Sequence, residues 1–443
     1  MKQGAAFYVK NRERLKALLP PKSLALLFSN DEMPRSGDQY YPFRQNSDLY
    51  YLSGIVQPQT ILVLCPDHPN PKFKEILYLL QSDATRETWD GHRLTPKEAT
   101  SVSGIQTVVR IDNFDLQIND LAYSSDCIYI NINEDIKAKN DLHTFDWRMA
   151  GMLKHRFPLH HYERLAPLMA SLRVIKQPEE IHLIRNACDI TGKAFDRIIR
   201  NVSPGMYEYE IEAEMTYEML RNSASGHAFL PVVASGYNAC TLHYHANNRM
   251  IQDDELVLLD FGAELANYCS DCSRTIPVSG RFTRRQRELY EATLRVFRKV
   301  ILMMRPGVSI VQINLQAGQF WEEEHVRLGL YSMEELRRQD PDNPLYRKYF
   351  MHGVTHFLGL DVHDTGNRYE PLESGAVITC EPGIYIPEEG IGIRLENDIL
   401  ITPSDPIDLM KHIPIEPDDI EKIMQENTDC INCRVDRRSL NHT

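Results

Sequence analysis

Four acidic residues in the second half of this chain stand where apolar strands should run uninterrupted. Asp260 ends the run LVLL, and Asp271 follows after ten intervening residues, in the return strand expected of the same hairpin. Glu381 follows AVITC directly and precedes Pro382–Gly383, and Glu396 closes IGIRLE. A bare carboxylate at such a position is costly to bury unless something pairs it. Four that converge raise one another's pKa values. Divalent cations would neutralise such a set, and an added imidazole would make it a hard, oxygen-rich site suited to Mn, Co, Fe or Zn rather than a thiolate site. Taken singly, each acid also fits a turn, a cap or a solvated strand face, so convergence is an expectation that a fold must supply.

The rest of the chain supplies a frame of two halves. At 443 residues it is too long for one ordinary core. In the first half, LALLF (24–28), TILVLC (60–65), EILYLL (75–80), TVVRI (107–111) and CIYINI (127–132) read as strands, and 142–157 reads as a helix. In the second half, Pro178 sits at a first helical position with Glu179 and Glu180 at the positive end of the dipole. Ile181, Ile184, Cys188, Phe195 and Ile198 then recur at helical spacing. Further helices are expected at 207–222, at 283–304 and on to about 328, with strands at 376–380, 391–396 and 398–402. The expected fold is an α/β domain over 1–172 and an α+β domain over 173–443 whose antiparallel strands carry the acids.

Composition narrows the partners. A net charge of −13 excludes the broad basic face that nucleic-acid binding needs. There is no run of about 18 apolar residues to span a membrane. The first residues are too interrupted by charge for a signal peptide, so a cytoplasmic protein is expected. Nine cysteines, an odd number, fit free thiols in a reducing compartment. The spacings Cys269–Cys272 and Cys430–Cys433 could make a zinc site, but core or surface thiols are the preferred reading.

LVLLDFGAEL…YCSDCSRTIPVSG, MHGVTHFLGLDVHD, VITCEPGIYI and GIGIRLENDILIT, in that order, resemble the successive motifs of the aminopeptidase P family, and YPFRQNSDLYYLSG (41–54) extends the resemblance into the first half. The resemblance implies a creatinase/aminopeptidase P type N-terminal domain and a pita-bread catalytic domain with a curved antiparallel sheet. It implies two divalent metals, Mn first among the candidates, held by Asp260, Asp271, His356, Glu381 and Glu396. Asp271 and Glu396 would touch both metals, Asp260 one, and His356 with Glu381 the other or the bridge region. A bridging water or hydroxide would be the nucleophile and Glu381 the proton shuttle. His363 would stabilise the tetrahedral intermediate, while His243 and His352 would shape a proline pocket. Arg394, two residues from Glu396, would steady the acids or bind substrate, and Tyr385 would line the pocket. Asp38 and Trp89 would come from a neighbouring subunit and close the mouth, implying a homodimer or homotetramer.

The implied reaction is release of the first residue from peptides with proline second. A prolidase, which cuts only Xaa-Pro dipeptides, shares fold and ligands and stays open. A methionine aminopeptidase would lack so large an N-terminal domain. A metal-free creatinase-like hydrolase, or a binding module that has lost catalysis, would lack ligands that are all present here.

Overall fold

The computed structural model describes residues 3–81, 84–134 and 142–426. The chain divides into two compact units, Met1–Arg173 and Val174–Thr443.

The first unit is built on a six-stranded mixed sheet in the order Thr107–Arg110, Glu75–Leu79, Thr60–Leu64, Ser23–Phe28, Cys127–Ile130, His161–Arg164. The two pairings at the centre are antiparallel and the outer ones parallel. Every residue of Ser23–Phe28 is buried, as a strand covered on both faces must be. Leu24, Leu26 and Phe28 alternate onto one face and pack with Phe114, Ile118, Leu121 and Leu153 of the helices Phe114–Tyr123 and Phe145–Arg156. The expected strands are therefore present, and the helix expected from 142 starts at Phe145.

The second unit surrounds short antiparallel strands with the helices Pro178–Asn201, Glu208–Arg221, Arg284–Ile301 and Ile310–Arg327. Val232–Ser235, Leu256–Phe261 and Cys272–Pro277 form one three-stranded group. Val377–Cys380 pairs with Asn397–Leu400, and Gly383–Ile386 with Ile391–Arg394. The α/β plus α+β organisation expected from the sequence is present.

Two local expectations are corrected. Asp271 does not lie in the return strand but just before it, at the end of a tight excursion through Ala263–Leu265 and Tyr268–Cys269. Gly262 makes the excursion fit, since a Cβ there would lie 1.7 Å from the Ser270 carbonyl oxygen. Glu396 does not sit inside a strand either. It occupies the two-residue break between Ile391–Arg394 and Asn397–Leu400. Both acids thus sit where the chain leaves its ladder, and backbone irregularity aims their side chains.

Cys269 and Cys272 are buried and not joined in a disulfide. Cys430 and Cys433 lie outside the described residues. Among the described residues no helix is long and apolar enough to cross a membrane.

Candidate metal centre and active site

The strand ends of the second unit bring the acids together. Asp271, His356 and Glu396 each offer one ligand atom, all within 4.8 Å of one another. His356 Nε2 lies 3.5 Å from Asp271 Oδ2 and 3.6 Å from Glu381 Oε1. Asp260 joins through Arg394, whose Nη2 donates to Asp260 Oδ2 at 2.5 Å. Arg394 Nε donates to Ser273 Oγ at 2.9 Å, and the same hydroxyl donates to Glu396 Oε2 at 2.8 Å. Thr379 Oγ1 plays the matching part for the other pair, accepting from the His356 backbone N–H at 3.1 Å and donating to Glu381 Oε1 at 3.5 Å.

The protonation pattern of the histidines follows from their partners. His356 Nδ1 faces the Phe357 carbonyl at 2.9 Å, and a carbonyl can only accept. Nδ1 therefore carries a proton, which leaves Nε2 as the nitrogen that faces the carboxylates, the one a metal would take. His352 repeats this logic. Its Nδ1 donates to the Gly353 carbonyl at 2.8 Å, so its Nε2 accepts from Tyr385 Oη, also at 2.8 Å. Tyr385 Oη in turn accepts from Arg394 Nη1 at 2.8 Å. Burial, with Arg394 adding to it, holds the His352 pKa down at about 3, so this imidazole is neutral. Burial pushes the Tyr385 phenol up to about 12.

The carboxylates themselves are under-satisfied. Asp260 Oδ1, Asp271 Oδ1 and Glu396 Oε1 are buried and have no hydrogen-bond partner. Burial, compounded by Asp260, Asp398 and Glu381, pushes the pKa of Asp271 well up. Burial together with Asp271, Glu381 and Asp260 does the same to Glu396, and burial raises Glu381. Each orphaned oxygen is a lone pair awaiting a cation, and the donor set of hard oxygens plus one imidazole suits a divalent metal. The residues present fit such an ion.

The remaining expected residues are more dispersed. His363 is exposed, with its ring 4.4 Å from that of His356, edge to face. His243 is exposed and stacks on His245 with ring centres 6.1 Å apart. His352 and His356 lie in a loop, not on a helix face. Asp38 lies between the short exposed strands Pro34–Ser36 and Gln39–Tyr40, where its Oδ1 accepts from Gln39 Nε2 at 3.0 Å. Trp89 is 85% exposed on the helix Ala84–Asp90. Both belong to the first unit, not to the one that carries the acids.

Three participants escaped the sequence reading: Ser273, Thr379 and Asp398. Asp398 is fully buried, and its Oδ2 accepts from the Asp271 backbone N–H at 3.1 Å and from the Cys188 thiol at 3.3 Å. Burial drives its pKa up to about 8. A signal for all three existed, since each lies two residues from a cluster acid and extended chain puts such neighbours on one face.

Comparisons with known proteins show the family. Metallopeptidase family M24 matches residues 182–403, and the aminopeptidase P N-terminal domain matches residues 8–129. The chain is 34% identical to the Xaa-Pro aminopeptidase of Escherichia coli K12 over 94% of its own length and 97% of that protein. It is 32% identical to human Xaa-Pro aminopeptidase 3, covering 95% of this chain and 86% of that one. The structure of Zn-substituted E. coli aminopeptidase P in complex with product superposes with a TM-score of 0.87 at 32% identity, covering 96% of this chain and 99% of the other. The chain therefore belongs to metallopeptidase family M24, with the aminopeptidase P N-terminal domain preceding its catalytic region.

Proposed function

We propose that this chain is an aminopeptidase that uses two divalent metal ions to release the first residue from peptides with proline in second position. The observation that carries this reading is the buried group of orphaned oxygens on Asp260, Asp271 and Glu396, beside an imidazole whose Nε2 faces Asp271 and Glu381. The names of the relatives support the substrate class. Asp260, Asp271, His356, Glu381 and Glu396 hold the metals, of which Mn is the proposed native pair.

When bound, such ions polarise the scissile carbonyl and lower the pKa of water. The chain's own residues do the rest. Glu381 takes the proton of the attacking water and delivers it to the prolyl nitrogen as the C–N bond breaks. The prolyl nitrogen needs that proton to leave as any amide nitrogen does, and as a tertiary amide with no N–H it offers no donor to a peptidase that relies on one. His363, beside His356, donates to the developing oxyanion. Neutral His352, fixed by Tyr385, forms one wall of the proline pocket, with His243 nearby. Arg394 steadies Asp260 and, through Ser273, Glu396. The acidic site favours the cationic N-terminus of a peptide.

The catalytic domain is taken as 173–443. Asp38 and Trp89 are assigned to close the mouth of a neighbouring subunit's site in a homodimer or homotetramer. Trp89's exposure leaves it available for that role. No disulfide joins the described cysteines, which supports a reducing, cytoplasmic location.

The test is an assay of metal-stripped protein, with and without added Mn²⁺, on Xaa-Pro-Xaa tripeptides and Xaa-Pro dipeptides. Metal-dependent cleavage of the tripeptide at the Xaa-Pro bond is expected. Cleavage of dipeptides alone would make the protein a prolidase, and no cleavage with any divalent metal would overturn the enzymatic reading.

A further inference from the structure

Away from the acidic cluster, the second unit contains a buried ion pair that no catalytic role uses. Lys176 Nζ donates to Asp364 Oδ2 at 2.9 Å, and both side chains are only 1% exposed. Burying two charges is expensive, and apolar side chains of similar size often stabilise a fold as well or better. The position of this pair suggests what it does instead.

Both ends are fastened. The Lys176 backbone N–H donates to the Gly375 carbonyl at 2.9 Å, just ahead of the helix Pro178–Asn201. The first turn of that helix is pinned by Glu180, which accepts from the Gln177 N–H at 2.9 Å and from Tyr268 Oη at 3.1 Å. At the other end, the Asp364 backbone N–H donates to the Phe357 carbonyl at 2.9 Å. That same carbonyl receives the Nδ1–H of His356 and so fixes which His356 nitrogen faces the acids. The loop 356–364 is thus closed on itself through one carbonyl oxygen, and His363 rides on it against the His356 ring. There is no slack, because a Cβ at Gly359 would lie 2.3 Å from Asp364 Oδ2 and 3.0 Å from Lys176 Cε.

We infer that the Lys176–Asp364 pair is a positioning device: it clamps the loop 356–364, and through the shared Phe357 carbonyl it holds the His356 imidazole in its metal-binding orientation. The inference rests on His356 being a metal ligand, as proposed above.

The experiment is titration of the metal-free, full-length protein with Mn²⁺, followed by electron paramagnetic resonance and calorimetry. The main variant is the double substitution Lys176→Met/Asp364→Asn, which removes both charges together and strands neither. Wild type is expected to bind two Mn²⁺. In the double variant one of them should bind about tenfold more weakly, the low end of the effect of losing an outer-shell partner. Thermal melting of the metal-free forms should stay close to wild type. Lys176→Arg, which keeps a charged donor, should retain wild-type affinity. If the double variant does not fold, Gly359→Ala decides, because it displaces the pair without removing a charge, and it too should weaken one Mn²⁺. Wild-type affinity for both ions in a folded double variant, or in Gly359→Ala, would overturn the inference while leaving the metallopeptidase reading intact. A wild type that binds no Mn²⁺ would overturn both.

Discussion

Glu208 and Glu396 are both buried carboxylates in the same unit, 0% and 2% exposed, yet their surroundings are opposite. Glu208 opens the helix Glu208–Arg221 and receives five donors. Its Oε1 accepts from the Ser235 N–H at 2.8 Å, Ser235 Oγ at 2.7 Å and Asn238 Nδ2 at 3.2 Å. Its Oε2 accepts from Tyr244 Oη at 2.8 Å and the Arg249 N–H at 2.9 Å. Glu396 receives one side-chain donor, Ser273 Oγ, and its Oε1 receives none. Burial of an acid is therefore no mark of function by itself. A carboxylate whose lone pairs are filled by the chain ties a fold together, whereas one left unfilled beside other acids waits for something the chain does not provide.

The comparison can be broken first at Glu381. Glu381→Ala should reduce turnover of an Xaa-Pro-Xaa tripeptide by about 10²- to 10⁴-fold, the range for a general acid–base group, and should also weaken Mn²⁺ binding. Full turnover in that variant would remove Glu381 from the mechanism.

Metal removal is the next largest effect. At free Mn²⁺ of 100 times the dissociation constant, the loaded protein should be more stable than the stripped one by about 2.7 kcal/mol for each ion bound. The stripped form should also depend on pH in a definite direction. Asp398 has a folded pKa of about 8 against an ordinary 3.8, and Asp271 and Glu396 are raised too. The folded state then holds protons that the unfolded state has released, so stability is full below the unfolded values and is lost as pH rises through the folded ones. Between pH 4 and about 8 the melting temperature of the stripped protein should fall, and Mn²⁺ should flatten the decline. A stripped protein that gained stability over that range would contradict the assignment of unpaired acids.

Glu208→Gln sharpens the other side of the comparison. It turns an acceptor for crowded donors into a partial donor and should destabilise the fold by about 2 kcal/mol, measured by denaturant unfolding, while the folded fraction still binds Mn²⁺. Loss of metal binding with no loss of stability would place Glu208 among the functional acids. Tyr385→Phe should have the smallest effect. It leaves a buried Arg394 N–H and His352 Nε2 without a partner, for about 1–2 kcal/mol of stability. Peptide KM should change more than metal affinity.

The acids were legible in the sequence because each stands at or within an apolar run, whereas His356 came only from the resemblance of the ordered motifs, which also supplied the fold that makes them converge. The strands of the first unit were legible for a simpler reason, their continuous Val, Ile and Leu content. The exact stations of Asp271 and Glu396 were not. Both sit at breaks in the ladder, and the break at Asp271 depends on the close approach of Gly262 to Ser270, a contact that no periodicity reports. Ser273, Thr379 and Asp398 were hidden for another reason. Small polar residues in strands usually face water, so their two-residue spacing from a cluster acid was a weak signal until the assembled site showed that they face the cluster. The Lys176–Asp364 pair joins residues 188 positions apart, beyond the reach of any local pattern.

The most direct test of the central claim is a count of bound Mn²⁺ per chain in the metal-reconstituted protein, made for wild type, Glu396→Gln and Glu208→Gln. The account predicts two ions in wild type and in Glu208→Gln, and fewer in Glu396→Gln. Two ions in Glu396→Gln, or none in wild type, would contradict the claim that the unfilled carboxylates of the second unit are a metal site.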